Sequence, residues 1–334
     1  MVSILCIGDP HFKIDNVIET ELMVSKILLY VGKIKPDFVV VLGDILDRHE
    51  SIHVSPLTRS INFLFKLKQL CYTFVLIGNH DLKNNRQFLS DEHPFTSLKY
   101  WEGIKIVDFT TEFVCKNERF IFVPYVQPGR FSEALSKIES FQNAKCIFAH
   151  QEFKGCKMGA LISTEGDEWD IKNPFVVSGH IHDFQTPQTN ILYTGTPIQH
   201  SFGDNHQKTI SHFIFNDNDK VHERIDLKLP RKMIVRLNVD EVSTYIPDKN
   251  SQIKIIISGS VAEIKGIKEH QNIKDWRKQN FKICFKESSK NIETEFKPKI
   301  KYSQLLYEKI RDDQNLQRVY VELFGTPDNN FIRT

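Results

Sequence analysis

The chain has 334 residues, 40% hydrophobic and 26% charged, with a formal net charge of +2. That composition supports a substantial core, one large domain or a large and a small one, and excludes disordered or collagen-like architectures. No apolar run approaches the ~20 residues that span a bilayer, which excludes a transmembrane helix. The charge is unevenly placed, +6 over 231–334 and −4 over 1–230. An acidic front suits cation binding and a basic back suits a polyanion, although an ordinary solvated surface produces a bias this small too. The six cysteines form no Cys-x-x-Cys pair, so a reducing compartment is expected rather than a disulfide framework or structural zinc. The opening strand is too short and unflanked for a signal peptide, and a soluble, intracellular protein is expected.

In chain order, the run Val2–Ile7 reads as a strand and stops at Gly8-Asp9-Pro10-His11. Residues 16–33 carry Leu22, Ile27, Leu28 and Val31 at helical spacing, and Phe38-Val39-Val40-Val41-Leu42 follows as a strand buried on both faces. This β-α-β unit implies a parallel pair with a right-handed crossover. The second strand ends in Gly43-Asp44-Ile45-Leu46-Asp47-Arg48. A helix over 56–70 leads to the strand Thr73–Ile77, which stops at Gly78-Asn79-His80-Asp81. Short strands are expected at Ile104–Val107, Phe113–Cys115 and Phe120–Val123, and a polar helix over Phe131–Phe141. The strand Cys146–Ala149 meets His150, and the long segment 151–170 reads as a structureless loop with a functional use. The strand Phe175–Ser178 runs into Gly179-His180-Ile181-His182, and strands at Asn190–Thr194 and Ser211–Phe215 follow. From about 230 three alternating segments, Met233–Val239, Ile253–Ser258 and Lys282–Phe285, suggest an appended α+β domain. A helix is expected over Tyr302–Tyr320. The organisation read from this pass is a catalytic domain over 1–229, a cap over 230–290 and a C-terminal segment over 291–334.

Five strand ends therefore present Asp, Asn or His where open α/β sheets bind ligands. A lone Asp-x-His or Gly-Asp-x-x-Asp is commonplace and usually structural. Histidines crowding the end of a buried strand, as in Gly179-His180-Ile181-His182, are harder to explain without a partner. Hydrolysis of a phosphate ester needs an attacking hydroxide and neutralisation of the phosphoryl charge. Two metal ions ~3.5–4 Å apart provide both, given ligands from separate strands and one bridging carboxylate. The expectation is that all five segments converge on one dinuclear centre with Asp44 shared. Mixed carboxylate and imidazole donors suit Mn²⁺, Fe²⁺ or Zn²⁺ better than Ca²⁺.

These segments resemble the calcineurin-like metallophosphoesterases, whose signature runs Asp-x-His, Gly-Asp-x-x-Asp, Gly-Asn-His-Asp/Glu, a lone His, then Gly-His-x-His. The resemblance covers roughly residues 3–215 and implies a four-layer α-β-β-α fold. It implies one ion held by Asp9, His11, Asp44 and His182, and another by Asp44, Asn79, His150 and His180. His80 resembles the family's non-ligand histidine that contacts the phosphate or protonates the leaving oxygen. By the same resemblance Asp81 orients His80, and Asp47 and Arg48 support the ligands.

Within the superfamily, Gly179-His180-Ile181-His182 followed by Gln185, then Tyr193-Thr194-Gly195-Thr196-Pro197 and Ser201-Phe202-Gly203-Asp204, is similar to SbcD-type nuclease subunits of double-strand-break repair and their phage relatives. That similarity implies a Mn²⁺-dependent 3′→5′ exonuclease on duplex DNA and endonuclease on single strands. It also implies a homodimer working with a coiled-coil ABC-type ATPase of the SbcC class. Lys265, Lys268, Lys274, Arg277 and Lys278 are candidate phosphate contacts, with Trp276 a stacking residue; a solvated charged helix is the competing reading. Leu305, Leu306, Ile310, Leu316, Val319, Tyr320 and Leu323 form an apolar stripe for the ATPase or for packing on the chain itself. The chain's shortness relative to cellular members suggests a phage- or virus-like form. The rival enzyme reading is a small-substrate phosphomonoesterase or cyclic-nucleotide phosphodiesterase on the same fold, because fold alone does not choose a substrate.

Overall fold

A computed structural model describes residues 1–49, 51–217, 219–248, 250–288, 306–307 and 309–325. The N-terminal third is built as repeated β-α-β: β1 (Val2–Ile7), α1 (Val17–Ile34), β2 (Phe38–Val41), α2 (Val54–Leu70) and β3 (Thr73–Leu76), then β4 (Ile104–Val107). These four strands are parallel neighbours. Next come β5 (Thr111–Cys115), β6 (Glu118–Val123), a one-turn α3 (Phe131–Leu135) and β7 (Cys146–Ala149). The helix expected to reach Phe141 ends at Leu135. Phe131, Ala134 and Leu135 complete its buried face, and Ser140 adopts a left-handed conformation (φ +49°) that no helix continues through.

The loop expected to be structureless instead contains the hairpin β8 (Lys157–Met158) and β9 (Leu161–Ile162). The strands β10 (Val176–Ser178), β11 (Gln185–Gln188), β12 (Ile191–Tyr193), β13 (Ile210–Phe215) and β14 (Lys220–Ile225) complete two six-stranded sheets. Their orders are β14-β13-β1-β2-β3-β4 and β11-β12-β10-β7-β6-β5. Both β11 and β14 are edge strands, and their polar sequences, one with a proline, explain why no apolar pattern announced them.

Alternation along β2 shows how the layers form. Val39 and Val41 pack with α1 and α2 residues such as Ile27 and Phe63. Phe38 and Val40 face the second sheet, against Phe120, Phe122 and Phe148. The sheet-to-sheet core is rich in aromatics, with Phe74 stacked on Phe122 at a centroid distance of 3.9 Å. The far face of the second sheet is covered by α3 together with Phe153 and Trp169 from the 151–170 segment. The fold is thus the expected α-β-β-α sandwich, with its last layer mostly loop.

After residue 230, β15 (Lys232–Asn238), β16 (Gln252–Gly259), α4 (Val261–Ile267), α5 (Gln271–Lys278) and β17 (Lys282–Glu287) form a three-stranded, all-parallel sheet with two short helices. Trp276 is only 4% exposed and belongs to the core of this unit with Ile255 and Ile257, so it cannot stack on a base as expected. The C-terminal helix α6 runs Gln314–Phe324. Asp313 caps it by accepting from the N–H groups of Asn315 and Leu316, which explains why one helix does not continue from the preceding turn. Residues 302–305, Leu305 among them, lie outside the described residues. Of the apolar stripe, Tyr320 is buried against Tyr307 and Phe324, while Leu316, Val319 and Leu323 are exposed. Among the described residues, no helix is long and apolar enough to cross a membrane.

Candidate metal centre

The carboxyl ends of β1, β2, β3, β7 and β10 deliver their side chains to one place. His150 Nδ1 donates to the Leu42 carbonyl at 2.7 Å, which turns Nε2 inward, 3.0 Å from Asn79 Oδ1 and 3.3 Å from Asp44 Oδ1. His180 Nδ1 reaches the same Asn79 oxygen at 2.9 Å. Asp44, His150 and His180 have donor atoms all within 4.8 Å of one another. On the other side of Asp44, the Nε2 atoms of His11 and His182 face each other at 3.1 Å, with Asp44 Oδ2 3.7 Å from His11 Nε2. Asp9 Oδ1 accepts the His180 N–H at 3.0 Å, while its Oδ2 is buried without a partner.

This arrangement fits divalent cations. A buried, unpaired carboxylate oxygen is costly, and so is the convergence of imidazole nitrogens on one another. Cations between them relieve both. The backbone is strained in the same place: Asp9, His11, Asp44 and His180 all have positive φ, from +21° to +76°, without being glycine, the kind of strain that clusters at functional sites. Two glycines make the approach possible. A Cβ at Gly43 would lie 2.5 Å from His150 Nδ1, and one at Gly179 2.8 Å from Asp9 Oδ1.

Electrostatics follow from burial among these charges. Burial works against ionised Asp44, yet His150, His11 and His80 hold its carboxyl well below the usual range. Burial pushes Asp9 up to about 7 against the pull of His150. Burial opposes a charged His150, but Asp44 and Asp9 raise it to about 9. Burial and the neighbouring His150 lower His180 to about 3. The signs predict a pH effect after chelation. The raised His150 contributes stability that is full below its ordinary 6.5 and lost as pH rises through about 9, whereas the lowered His180 loses its contribution only below 6.5. Melting temperature of the chelated chain should therefore fall between pH 7 and 9, and a bound divalent ion should cancel the fall, because its ligands must be deprotonated. Thermal melts with and without metal check this; a rising melting temperature over that range would contradict it.

Around the centre, His80 Nδ1 donates to the Asp47 carbonyl at 2.7 Å. This leaves its Nε2 toward Asp44 Oδ2 at 4.0 Å, on a ring one-third exposed. Asp81 does not orient His80. Its carboxylate accepts from the backbone N–H groups of Ile45, Leu46 and Gly78, tying the loop after β2 to the loop after β3. The orienting role falls to the Asp47 main chain, because the three-residue turn Asn79–Asp81 points the two side chains apart. The Asp47 carboxylate lies 2.8 Å from Lys13 Nζ and 3.5 Å from His11 Nδ1. Arg48 is exposed on the rim beside Ile52 and His53.

Sequence reasoning missed two histidines here. His200 Nε2 donates to the Asp9 carbonyl at 3.0 Å, and its ring centre lies 4.7 Å from His11 and 5.2 Å from His182. His49 stacks on His80 at 4.8 Å. The signal for His200 was its place inside the segment 193–204; nothing in periodicity marks either residue. His200 also lines a cleft of about 750 Å³ between the sandwich and the C-terminal sheet. Lys13, Lys232, Lys254 and Lys282 border that cleft, with Asp15 and Glu19. None of Lys265, Lys268, Lys274, Arg277 and Lys278 does. Lys274 pairs with Glu269 and Lys278 with Asp275, and Lys268 lies over the Phe285 ring.

Comparison with known proteins agrees with this geometry. Residues 2–205 match the model of the calcineurin-like phosphoesterase family. The chain is 42% identical over 292 residues to the candidate phosphoesterase 078R of Invertebrate iridescent virus 3, covering 85% of this chain and 84% of that protein. It is 44% identical over 277 residues to the candidate phosphoesterase 244L of Invertebrate iridescent virus 6, covering 80% and 98%. Among solved structures, a dimetal phosphatase from Danio rerio superposes with a TM-score of 0.43 at 11% identity, over 67% of this chain and 95% of that one, a likeness too loose to argue from. The family match, spanning more than half the chain and carrying every strand-end donor described above, shows that this protein belongs to the calcineurin-like phosphoesterases.

Proposed function

We propose that this phosphoesterase is a Mn²⁺-dependent DNA nuclease, cutting duplex DNA from 3′ ends and single strands internally, within a nuclease–ATPase complex. The observation that carries the reading is the continuity of the cleft with the metal centre through His200. One wall of the cleft touches Asp9 and His11; the other carries Lys254 and Lys282 on the C-terminal sheet. A small monoester needs no such extension, whereas a polyanion crossing it meets lysines along its backbone, giving sequence-independent, salt-sensitive affinity. Lys13 and Lys232 are partly committed to Asp47 and Glu19, so Lys254 and Lys282 are the phosphate contacts favoured here over the helix lysines 265–278.

In this reading Asp9, His11, Asp44 and His182 hold one divalent ion, and Asp44, Asn79, His150 and His180 a second. Two such ions supply Lewis acidity and a nucleophile at neutral pH. His80, steadied by the Asp47 carbonyl and by His49, meets the leaving oxygen with Nε2 and supplies its proton. The ring is exposed enough to meet substrate. The exposed face of α6 (Leu316, Val319 and Leu323) is the surface offered to a coiled-coil ABC-type ATPase of the SbcC class, and the active assembly is a homodimer. Its kinship with viral proteins is consistent with a compact version of such a nuclease.

The test compares Mn²⁺-dependent nucleotide release from linear duplex DNA with turnover of a chromogenic monoester. DNA degradation with weak monoester turnover is expected. Robust monoester turnover with no DNA cleavage would favour the small-substrate reading instead. Replacing Lys254 and Lys282 together by Ala should weaken DNA binding uniformly across sequences and reduce the slope of log affinity against log salt by about 2, one per lost phosphate contact. Fluorescence anisotropy at several salt concentrations reads that slope; an unchanged slope would remove the cleft from the DNA path.

A further inference from the structure

The segment 151–170 is longer than a connection between β7 and β10 requires, and its internal hydrogen bonds fix Glu152 through both its side chain and its main chain. Glu152 Oε1 accepts from the Ser163 hydroxyl at 2.5 Å, and Ser163 Oγ in turn accepts the Gly166 N–H at 3.0 Å. The Glu152 carbonyl accepts the Asp167 N–H at 2.9 Å. Asp167 is itself fixed by Gln151 at 2.7 Å and by the Phe131 N–H at 3.0 Å. A Cβ at Gly166 would lie 2.6 Å from the Phe153 carbonyl carbon, so the loop closes this tightly only with glycine there. The result is that Glu152 Oε2 stands 4.0 Å from His180 Nε2, with both side chains less than one-fifth exposed.

His180 presents Nδ1 to the interior of the metal centre, 2.9 Å from Asn79 Oδ1. A neutral imidazole that binds a cation through Nδ1 carries its proton on Nε2. Ligating histidines usually donate that other N–H to a carboxylate, carbonyl or water, which fixes the tautomer and ring orientation and raises basicity. From this placement we infer that Glu152, braced by Ser163, is the positioning residue for His180, accepting its Nε2–H when Nδ1 engages the metal. A closure of about 1 Å brings Oε2 into hydrogen-bond range. The long loop is then a clamp on one ligand. The inference rests on His180 being a ligand, and it extends that reading to a residue outside the family signature.

The experiment is titration of Mn²⁺ alone into the full chain, counting free ion by electron paramagnetic resonance, for wild type, Glu152→Ala, Glu152→Gln and Ser163→Ala. Glu152→Ala should weaken one of two sites by about 10- to 100-fold, the usual effect of removing such a partner, and leave the other within about twofold. Glu152→Gln, which keeps the side-chain shape and an acceptor oxygen, should restore part of the affinity. Ser163→Ala, which frees the carboxylate without removing it, should weaken the same site less than Glu152→Ala does. A role confined to loop structure would lower the melting temperature of the chelated chain without changing one site selectively. Two sites of wild-type affinity in both Glu152 variants would overturn the inference alone. No Mn²⁺ binding by the wild-type chain would overturn the metal-centre reading beneath it as well.

Discussion

Asp44→Asn should abolish phosphoester turnover and weaken binding of both metal ions together. Asp44 stands between the two halves of the centre, Oδ1 toward His150 and Oδ2 toward His11. It is also held ionised against its burial by the histidines around it. The substitution is nearly isosteric and removes the shared negative charge. The expected loss in affinity at both positions exceeds the ~10- to 100-fold typical of a residue one contact removed from the metal. Metal analysis and single-turnover cleavage, run on the same preparation, check it. Two tightly bound ions with full cleavage would remove Asp44 from the bridging role. The loss of only one ion would place it on a single metal.

His80→Ser should leave metal content intact and cut turnover by ~10²–10⁴, the range of a positioned general acid or base. The His80 backbone N–H already donates to Asp44 Oδ1 at 2.9 Å, and that contact survives the substitution, so the centre keeps its shape. What is lost is the ring, with Nδ1 anchored on the Asp47 carbonyl and Nε2 directed at the site. The effect should fall on kcat more than on KM, because the proton is needed in the transition state rather than for binding. A variant that loses a metal ion would instead make His80 a ligand.

The fold and the convergence of the strand-end residues were legible in the sequence for the same reason. Buried parallel strands are nearly continuous apolar runs, and in Phe38–Leu42 or Val176–Ser178 the chemistry begins where the run stops. Asp9, His11, Asp44, Asn79, His150, His180 and His182 each occupy such a stop, so locating the strands located the residues that the fold gathers at the centre. Contacts made across the molecule were not legible. Asp81 lies next to His80 in sequence, yet its carboxylate turns to the backbone of residues 45, 46 and 78. Trp276 sits among lysines and reads as exposed, but helical spacing turns it inward with Ile273. His200 and Glu152 act from loops whose path is set by distant hydrogen bonds rather than by any local pattern. The lysines at the cleft were hidden likewise, because Lys254 and Lys282 lie on neighbouring strands in direct register though 28 positions apart in the chain.

The most direct measurement is anomalous diffraction from crystals of the full chain soaked in Mn²⁺. Two peaks are expected, one among Asp9, His11 and His182 and the other among Asn79, His150 and His180, with the Asp44 carboxylate reaching both. A single peak, or manganese bound away from Asp44, would contradict a shared dinuclear centre and the phosphoester chemistry argued from it.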